Sequence, residues 1–592
     1  MPSQKQRAWI RRFSNLVRPK AAHDIEEHFA SVVDLAKRSA PPIETAQSAN
    51  RPFISLVATL HDTPANHLQD LLESVHAQPA GAAELILNAD ASTETQTLAW
   101  LTAHEHNPSI HVLRNPENRG LVAATNAAIE SSRGAWIGFV DPDDALAPYV
   151  VQLIAQTAKE YPQCQLIYTD EVVGDEKLKP VSYILKPAYD EVMLSGGNYM
   201  SHLACYRRDR LRAMGGMRAG YDGAEHYDLL LRYVRDLRCD EIKHLPYPGY
   251  RRRAARALSA DLLEHSLDGA RKALAERYGC GDLKALIEDA MTTGRYRVRL
   301  DKLKTQWPRV SVVIPNRNSL PLISRVLADL TSRTNYPDLE IIVVDNGTTD
   351  RRVLDLYAKA KQSAVPFQCV IEPGPFNFSR QVNHGIAAAS GELVLLLNND
   401  IELIEPDWLR EMVSCFDYPD TGIVGARLLY PSRRLQHVGT IIGLRNGLAA
   451  HWFVGRPESY PGPMARLHIR QSLTAVTGAC MLISRACIKQ VGNFDETEFP
   501  VAYNDVDFCL RAVAKGFRII WTPFATLVHH ESATRGRDNR RPTKLSRLRR
   551  ERENLRRRHH TSDFEDHAFS PWYSRSRLEP SILLLDQLPK AR

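Results

Sequence analysis

The chain has 592 residues, of which 44% are apolar and 24% charged, a composition that excludes a disordered, collagen-like or disulfide-stapled protein. At roughly 100–200 residues per domain, this length predicts two to four domains. The formal net charge of +7 is concentrated in residues 535–558, where twelve Lys and Arg stand against three Asp and Glu. The rest is close to neutral, which excludes a uniform nucleic-acid-binding surface.

The N-terminus and the cysteines predict an intracellular protein. Residues 1–13 are basic but lack the apolar core of a secretory signal. No apolar run approaches the roughly 18–20 residues that span a bilayer. The nine cysteines include no CxxC pair, which indicates reduced thiols rather than a zinc site or a disulfide framework. We therefore expect a cytoplasmic protein, with peripheral contact to the inner face of the plasma membrane as an open alternative.

In chain order, the sequence forms two similar parts. Ser55 and Asn126 recur as Ser311 and Asn383, at offsets of 256 and 257 residues, within similar apolar and polar patterns. This spacing is too long for a solenoid repeat and predicts a duplicated domain. The predicted segments are a basic, helical N-terminal extension, a first domain, a helical linker, a second domain and a basic helical C-terminal segment, at residues 1–50, 51–255, 256–305, 306–535 and 536–592.

Within each domain, apolar strand-like runs alternate with helical stretches. In the second domain the runs VSVVI, IIVVD, FQCVIE and ELVLLLN are separated by helical patterns. This alternation predicts an α/β fold with two domains in tandem, each a mostly parallel sheet flanked by helices. Ligands of such sheets bind at the carboxyl ends of the strands, where Asp345 and Asp400 are expected.

Four polar motifs of the second domain suit transfer from a nucleotide diphosphate: VDNG (344–347), NNDIE (398–402), YNDVDF (503–508) and VHHES (528–532). A strand-end Asp can accept hydrogen bonds from a base or ribose. A second Asp can hold Mg²⁺ or Mn²⁺ together with the diphosphate, and imidazole can join Mn²⁺. A separate carboxylate would deprotonate an acceptor hydroxyl. Each motif alone also has a structural interpretation, such as Asp505 capping a helix.

In order and spacing, the second domain resembles the inverting family-2 glycosyltransferases with a GT-A fold, in a tandem arrangement similar to bacterial rhamnosyltransferases and O-antigen-assembly enzymes. The first domain matches more loosely along most of its length. The segments that carry the resemblance are VSVVIPNRN (310–318), IIVVDNGTTD (341–350), FNFSRQVNHGIAAASGELVLLLNNDIE (376–402), TAVTGACMLISR (474–485), VGNFDE (491–496), YNDVDFCLR (503–511) and VHHESATRG (528–536).

The resemblance implies a donor site with a divalent cation, Mg²⁺ or Mn²⁺. Asp345 would contact the nucleotide base or ribose. Asp400 would be the metal-binding Asp of the DxD-type motif, although Asn398 precedes it where that motif has an Asp. The other donor-side candidates are Pro315, Asn346 and Asn399, and the late metal or diphosphate ligand would be His529 or His530.

The resemblance also implies an acceptor site beside a catalytic base. Asp505 would be that base. The acceptor-side candidates are Thr477, Gly478 and Asp507.

The first domain departs from this pattern in two of its motifs. Its DxD-type motif is rich in acid, with Asp141, Asp143 and Asp144 as candidates. However, Ala89 stands where the second domain has Asp345, and His226 stands where the family has the base. A histidine can act as a general base, since its ordinary pKa is near 6.5. We expect a degenerate or purely binding first domain, and a second active transferase stays an open alternative.

The basic C-terminal stretch has three open interpretations. Leu545, Leu548 and Leu555 give a narrow apolar stripe, which predicts a solvated helix that packs back on the second domain. An Arg-rich helix is also drawn to anionic lipid, which would suit a lipid-linked acceptor. Nucleic-acid binding is disfavoured, because no aromatic residues alternate with the arginines.

The sequence therefore predicts a metal-dependent, inverting glycosyltransferase of the hexosyltransferase class. Its partners would be a nucleotide-diphospho-sugar donor and a lipid-linked or oligosaccharide acceptor in cell-surface polysaccharide synthesis. Two alternatives stay open: a non-catalytic carbohydrate- or partner-binding scaffold of two degenerate domains, and a bifunctional transferase. A nucleotidyltransferase is disfavoured, since neither HDTPAN nor NRNSLP supplies a basic, Gly-rich triphosphate loop.

Overall fold

The computed structural model describes residues 22–40, 51–254, 259–279, 285–530 and 542–583. The first domain is built from nine strands: β1 (Ile54–Leu60), β2 (Ala83–Asp90), β3 (Ile110–Asn115), β4 (Trp136–Phe139), β5 (Ala145–Leu146), β6 (Leu166–Gly174), β7 (Pro180–Ile184), β8 (Ala204–Arg207) and β9 (Ile242–Arg253). The helices up to this point are α1 (Ala22–Ser39), α2 (Ala65–His76), α3 (Thr95–Ala103), α4 (Gly120–Ser131), α5 (Val150–Glu160), α6 (Glu191–Leu194), α7 (Arg208–Ala213) and α8 (Glu225–Tyr233).

The linker region contains α9 (Ala260–Arg277) and an antiparallel pair, β10 (Ile287–Asp289) and β11 (Tyr296–Val298). The sequence predicted a helical linker, and that prediction is wrong after Arg277. β10 and β11 run through IED and YRV, whose alternating residues suit a two-stranded ribbon better than a helix.

The second domain has strands β12 (Val310–Asn316), β13 (Leu339–Asp345), β14 (Phe367–Ile371), β15 (Leu393–Leu397), β16 (Ile401–Leu403), β17 (Thr421–Leu429), β18 (Leu435–His437), β19 (Thr440–Ile442), β20 (Ala449–His451), β21 (Gln471–Ser472), β22 (Cys480–Ser484) and β23 (Arg518–His529). Its helices are α10 (Leu320–Ala328), α11 (Arg351–Ala360), α12 (Phe378–Ala388), α13 (Trp408–Ser414), α14 (Leu444–Gly447), α15 (Arg485–Val491) and α16 (Asn504–Ala514), followed by α17 (Pro542–His559).

The two large sheets share one topology. The first has the strand order β3-β2-β1-β4-β8-β6-β9-β5, and the second has β14-β13-β12-β15-β22-β17-β23-β16. In each, the first four strands are parallel, as expected from βαβ units, and antiparallel pairs follow at β8 and at β22. The α/β prediction is confirmed, and each sheet is mixed beyond its parallel half.

The parallel strands form because their apolar runs are buried on both faces. In β15 all five residues are buried, and β12 and β13 are buried over most of their length. Asn316 pairs in register with Asp345 across β12 and β13, so polar side chains collect at this edge of the sheet. That edge carries the site described below.

A buried ion cluster fixes the linker to the second domain. Glu411 on α13 accepts both hydrogen bonds of a bidentate contact from Arg470, each 2.7 Å long, and a third from Arg297 of β11 at 2.9 Å. Thr522 adds a fourth at 2.7 Å. The arginines lower the pKa of Glu411 to about 2 against the opposing effect of burial, so the carboxylate is charged.

Helix α17 packs back on the second domain, as one of the sequence interpretations predicted. Leu555 is fully buried, and Glu551 accepts hydrogen bonds from the backbone N–H groups of Val501 and Ala502 at 2.9 and 3.1 Å. The segment after it contacts the first domain through the Trp572 indole, which donates to the Pro246 carbonyl. Among the described residues, no helix is both long and apolar enough to cross a membrane.

Candidate active site

A cavity of about 770 Å³ opens at the carboxyl ends of β12, β13 and β15 in the second domain. Its walls come from these strand ends, from β18 and β20, from the start of α16 and from α17. Eight of the sequence candidates line it: Pro315, Asn346, Asn399, Asp400, Thr477, Gly478, Asp505 and His529.

Asp400 and His529 face each other inside the cavity. Nε2 of His529 lies 3.1 Å from Oδ1 of Asp400, and that buried carboxylate oxygen has no hydrogen-bond partner. Nδ1 of His529 lies 2.8 Å from Oε1 of Gln436, which can only accept, so Nδ1 carries the ring proton. The lone pair of Nε2 is therefore directed toward Asp400, an arrangement that suits a cation between the two groups.

His530 points elsewhere, although the sequence could not separate it from His529. Its Nε2 lies 2.8 Å from Oε2 of Glu402, and it is not part of the cavity wall. His530 follows the last residue of β23, and its backbone N–H donates to the Asp400 carbonyl at 3.0 Å while its side chain turns to Glu402. The expectation that His530 is a metal ligand is wrong in this geometry.

A chain of hydrogen bonds runs under the nucleotide-side candidates. Asn399 donates to Oδ1 of Asn316 at 2.7 Å, Asn316 donates to the Tyr357 hydroxyl at 2.6 Å, and Tyr357 donates to Asp345 at 2.8 Å. Asp345 also accepts from the backbone and the hydroxyl of Thr348, both at 2.6 Å. Burial, and after it the bond to Asp345, raise the pKa of Tyr357.

Asp345 therefore lies beneath the cavity rather than in its wall. The neighbouring Asn346 does line the cavity, and its amide donates to the carbonyls of Glu372 and Gly374. Its Oδ1 is buried without a hydrogen-bond partner. This side chain is thus oriented by its own donors and offers an acceptor to a ligand N–H.

Asp505 stands at the start of α16 with one oxygen held by the opposite wall. Oδ2 accepts the backbone N–H of Gly478 at 3.0 Å, and Oδ1 accepts that of Val506 at 2.9 Å. Thr477 precedes that glycine in the cavity wall. The carboxylate is half-buried and faces the cavity, which is the placement a proton-accepting group needs.

The expectation that Asp507 lies on the acceptor side is wrong. It is fully buried, and its carboxylate contacts Arg511 at 2.9 Å, Arg558 at 3.1 Å and His559 at 2.8 Å. Two residues along a helix rotate by roughly 200°, so Asp507 faces α17 while Asp505 faces the cavity. These partners lower the pKa of Asp507 against the effect of burial.

Several polar residues of the cavity escaped the sequence reasoning, and four of them stand out. Gln436 and His437 lie on the short strand β18, His451 ends β20, and Arg552 comes from α17. A Gln-His pair after a strand is a weak signal, and Arg552 is one arginine in a long basic run. Burial, and after it the charges of His451 and His529, lower the pKa of His437 well below its ordinary value.

The first domain brings its three acidic candidates together. Ligand atoms of Asp141, Asp143 and Asp144 all lie within 4.8 Å of one another. Burial, and then the charges of the other two aspartates, raise the pKa of Asp144 to about 7, against the hydrogen bond from the backbone of Arg253. Nε2 of His202 lies 3.3 Å from Asp141.

The other groups around this cluster differ from the second domain. In β16–β23 His529 pairs with Ile401, the residue after Asp400; in β5–β9 the residue that pairs with Ala145, after Asp144, is Arg251. His226 packs edge to face against Phe139 with ring centroids 5.1 Å apart, and burial lowers its pKa to about 4. Arg251 therefore occupies the strand position at which the second domain has His529, and its guanidinium donates to the Leu178 carbonyl at 3.1 Å.

Two family models match the chain. Residues 55–214 match the model described as Glycosyl transferase family 2, and residues 308–554 match the model described as Glycosyltransferase like family 2.

Curated relatives include an uncharacterised protein of Sinorhizobium fredii, 36% identical over 536 residues and covering 88% of this chain and 58% of that protein. The O-antigen biosynthesis protein RfbC of Myxococcus xanthus is 32% identical, covering 85% and 39%. The chain thus spans about half the length of these two relatives. Among solved structures, a mannosyltransferase of Pyrobaculum calidifontis is 20% identical, with a TM-score of 0.32, covering 42% of this chain and 64% of that one.

Proposed function

Because the chain carries two glycosyltransferase family 2 domains in tandem, as its motifs predicted, we propose that it moves a sugar from a nucleotide-diphospho-sugar to a glycan hydroxyl with inversion, in cell-surface polysaccharide synthesis. The reaction is assigned to the second domain. One observation carries this proposal: the cavity holds both the Asp400–His529 pair and Asp505, a cation site and a base in one enclosure.

The residues around Asp400 fit Mg²⁺ or Mn²⁺. The unpartnered Oδ1 of Asp400 and the lone pair of His529 are the oxygen and nitrogen ligands that Mn²⁺ accepts, and Gln436 holds the imidazole in the required tautomer. When bound, the cation neutralises charge that develops on the departing diphosphate. With two protein ligands, the remaining positions would be left to the donor and to water.

The strand-end amides bind and orient the nucleotide in this proposal. The unpartnered Oδ1 of Asn346 accepts an N–H of the base, and Pro315 lines the same wall. Asp345 acts from beneath, because it holds Tyr357 and through it the Asn316–Asn399 pair. We therefore propose that Asp345 does not contact the donor itself but holds in place the neighbouring residues that do.

Asp505 takes the proton of the acceptor hydroxyl. The N–H of Gly478 fixes Oδ2, so the carboxylate keeps one orientation toward the cavity. The hydroxyl oxygen then attacks the anomeric carbon from the face opposite the diphosphate, the bond to the diphosphate breaks, and the configuration inverts in one displacement without a covalent intermediate.

A lipid-linked or oligosaccharide acceptor would enter beside α17. Exposed arginines on that helix, Arg549 and Arg550, offer a basic surface to anionic lipid headgroups, whereas Arg557 is ion-paired with Glu498. Peripheral contact with the inner face of a membrane is part of the proposal on this ground.

The test is a thermal-shift screen against UDP-, GDP- and dTDP-sugars, each with Mn²⁺ or with EDTA, on the wild type, Asp400→Ala and the matched first-domain variant Asp143→Ala. Binding to the native state raises the apparent stability by mass action. We expect a metal-dependent shift with one nucleotide that is lost in Asp400→Ala and kept in Asp143→Ala. The reverse pattern would move the donor to the first domain, and no shift would favour the scaffold.

A second function, an active first domain, is favoured by the close approach of Asp141, Asp143 and Asp144. The same screen measures it. A shift that is reduced but not lost in each variant would indicate two donor sites, and transfer that persists in Asp400→Ala and is lost only when Asp143→Ala is added would establish the bifunctional enzyme.

A further inference from the structure

Two histidines on adjoining walls of the cavity hydrogen-bond to each other. Nδ1 of His437 lies 2.7 Å from Nδ1 of His451, and the rings meet edge to face at 86° with centroids 4.9 Å apart. One nitrogen of this contact must carry a proton and the other a lone pair. The direction of the bond therefore depends on what the remaining nitrogens do.

The backbone decides the direction. The N–H of Thr477 donates to Nε2 of His437 at 3.3 Å, so Nε2 holds a lone pair and the proton of His437 is assigned to Nδ1. His437 then donates to Nδ1 of His451. A neutral His451 consequently carries its own proton on Nε2, and this ring lines the cavity and is exposed to it.

The relay reaches the base through one more residue. Thr477 is followed by Gly478, whose N–H holds Oδ2 of Asp505 at 3.0 Å. The contacts thus run in sequence from the outer ring of His451, through His437 and the Thr477–Gly478 backbone, to Asp505. A hydroxyl that accepts a hydrogen bond from His451 can donate its own proton to the carboxylate.

This wall is an addition to the second domain. Between Ile184 and Ala204 the described first domain has only the short helix α6, whereas the stretch between His437 and Cys480 holds the strand pair β19–β20. The parallel strand ends that bind the donor occur in both domains. The added wall therefore has a different ligand to recognise.

We propose that His451 binds the acceptor, its Nε2–H donating to the oxygen of an acceptor sugar hydroxyl, and that His437 is a positioning residue which fixes the tautomer of His451 and ties it to the wall that holds Asp505. This inference rests on the proposed function. His437 does not touch the substrate in this arrangement, so its loss acts through His451 and Thr477.

The first test reads the tautomers without any turnover. In protein labelled with ¹⁵N-histidine, two-bond ¹H–¹⁵N spectra distinguish protonated Nδ1 from protonated Nε2, and His437→Asn and His451→Gln assign the two signals. We expect Nδ1–H at His437 and Nε2–H at His451. An Nε2–H tautomer at His437 would overturn the relay.

The second test measures acceptor binding by saturation-transfer NMR. The probes are p-nitrophenyl monosaccharides, with Mn²⁺ and UDP, GDP or dTDP present, on wild type, His451→Ala and His451→Gln. We expect affinity for the bound glycoside to fall about tenfold in His451→Ala, the change for one lost neutral hydrogen bond, and to recover partly in His451→Gln, whose amide restores an N–H. The nucleotide thermal shift stays as in the wild type.

Equal glycoside affinity in all three proteins, or no glycoside bound by the wild type, would overturn the assignment. A parallel loss of nucleotide binding would also overturn it, since it would indicate a structural role. Because binding needs no catalysis, a wild type that binds the glycoside yet transfers no sugar counts against the proposed function and leaves the role of His451 standing.

His437 has its own matched pair of variants. His437→Gln places a side-chain oxygen where Nε2 accepts from Thr477, while His437→Asn is shorter and cannot reach it. We expect His437→Asn to raise the acceptor KM with little change in donor KM, and His437→Gln to keep part of the wild-type value. If the two variants change the acceptor KM equally, His437 is not a positioning residue.

Discussion

The two domains share a strand order but differ in what stands at the ends of their strands. At the edge of the second sheet, amides, one aspartate and a histidine surround a cavity. At the same edge of the first sheet, three aspartates crowd together and Arg251 stands in the place of the histidine. Buried apolar runs maintain the fold in both, so the site can diverge while the scaffold persists.

The two domains also differ in the length of one connecting segment. The strand pair β19–β20 and the wall it forms belong to the second domain, and the first domain crosses the corresponding gap in a much shorter stretch. The second domain thus has added chain beside its cavity, in the kind of segment where enzymes of one fold usually vary. Matched variants in the two domains test this division of labour directly.

The largest effect on sugar transfer is expected at Asp505, and its counterpart in the first domain, His226, provides the matched control. Asp505→Asn should lower transfer by about 10²–10⁴-fold, because the amide cannot accept the hydroxyl proton, while the nucleotide thermal shift remains. His226→Asn, at the matching position of the first domain, should leave transfer unchanged. Initial rates with a radiolabelled donor measure both. If the histidine variant is the inactive one, the assignment of the two domains is reversed.

The next largest effect is on stability and concerns the buried ion cluster around Glu411, which joins the linker to the second domain. Glu411→Ala should reduce the free energy of unfolding by about 3–5 kcal/mol, because Arg470 and Arg297 would be left charged and unpaired in the interior. Urea denaturation followed by tryptophan fluorescence measures this. Asp355→Asn removes an exposed ion pair with Arg351 and should change the free energy by less than about 1 kcal/mol.

The pKa of the Glu411 carboxylate also predicts how the stability of the protein changes at acid pH. Since the pKa of Glu411 is lowered to about 2 in the folded chain, its contribution is present above its unfolded pKa, near 4.5, and is lost as the pH falls toward 2. We expect the wild type and Glu411→Gln to converge in stability as the pH falls from about 4.5 to below about 2. Parallel curves over that range would show that this group does not titrate in the predicted window.

A smaller effect, on metal binding, is expected at Gln436, which contacts His529, the histidine proposed to bind the cation. Gln436→Ala should weaken Mn²⁺ binding by about 10–100-fold, because His529 loses the acceptor that fixes its tautomer. Gln436→Glu keeps an acceptor and should retain most of the affinity. Electron paramagnetic resonance of free Mn²⁺ measures each variant. Equal affinities in all three would separate Gln436 from the metal site.

The smallest effect lies in the first domain. The pKa of Asp144 is raised to about 7, so its charge opposes folding, and this cost grows as the pH rises from about 4 to 7. Asp144→Asn should therefore raise the Tm more at pH 8 than at pH 5. Thermal unfolding in metal-free buffer checks the difference. A larger gain at pH 5 would contradict the sign.

Much of the fold could be predicted because apolar runs recur at one spacing in both domains. The strand ends followed from that pattern, since parallel strands gather their last residues at one edge, whereas Asp505 was predicted from the resemblance of its motif to a known family. Adjacent residues were harder to separate. His529 ends β23 and His530 follows it, and their side chains turn to Asp400 and to Glu402. Asp505 and Asp507 differ in their rotation around α16. That choice depends on registers and packing, which a single sequence does not encode locally.

The residues that sequence reasoning missed share a physical cause. His437 and His451 lie on strands of three residues, too short to give a periodic signal, and their pairing joins positions fourteen residues apart. Arg552 belongs to a basic run whose described arginines have different partners: Arg558 binds Asp507, Arg557 binds Glu498 and Arg547 binds Glu551. In each case the tertiary contact, rather than the residue type, creates the role.

The contact between Asp507 and α17 affects how this protein can be divided. Because Arg558 and His559 bind the same helix that presents Asp505, the wall bearing Arg552 is attached to the reaction centre by charge rather than by chain continuity. A fragment cut after β23 would keep every strand of the second sheet and lose part of its enclosure. Exchange of domains between relatives would therefore have to carry α17 with its own α16, as a single transferable unit.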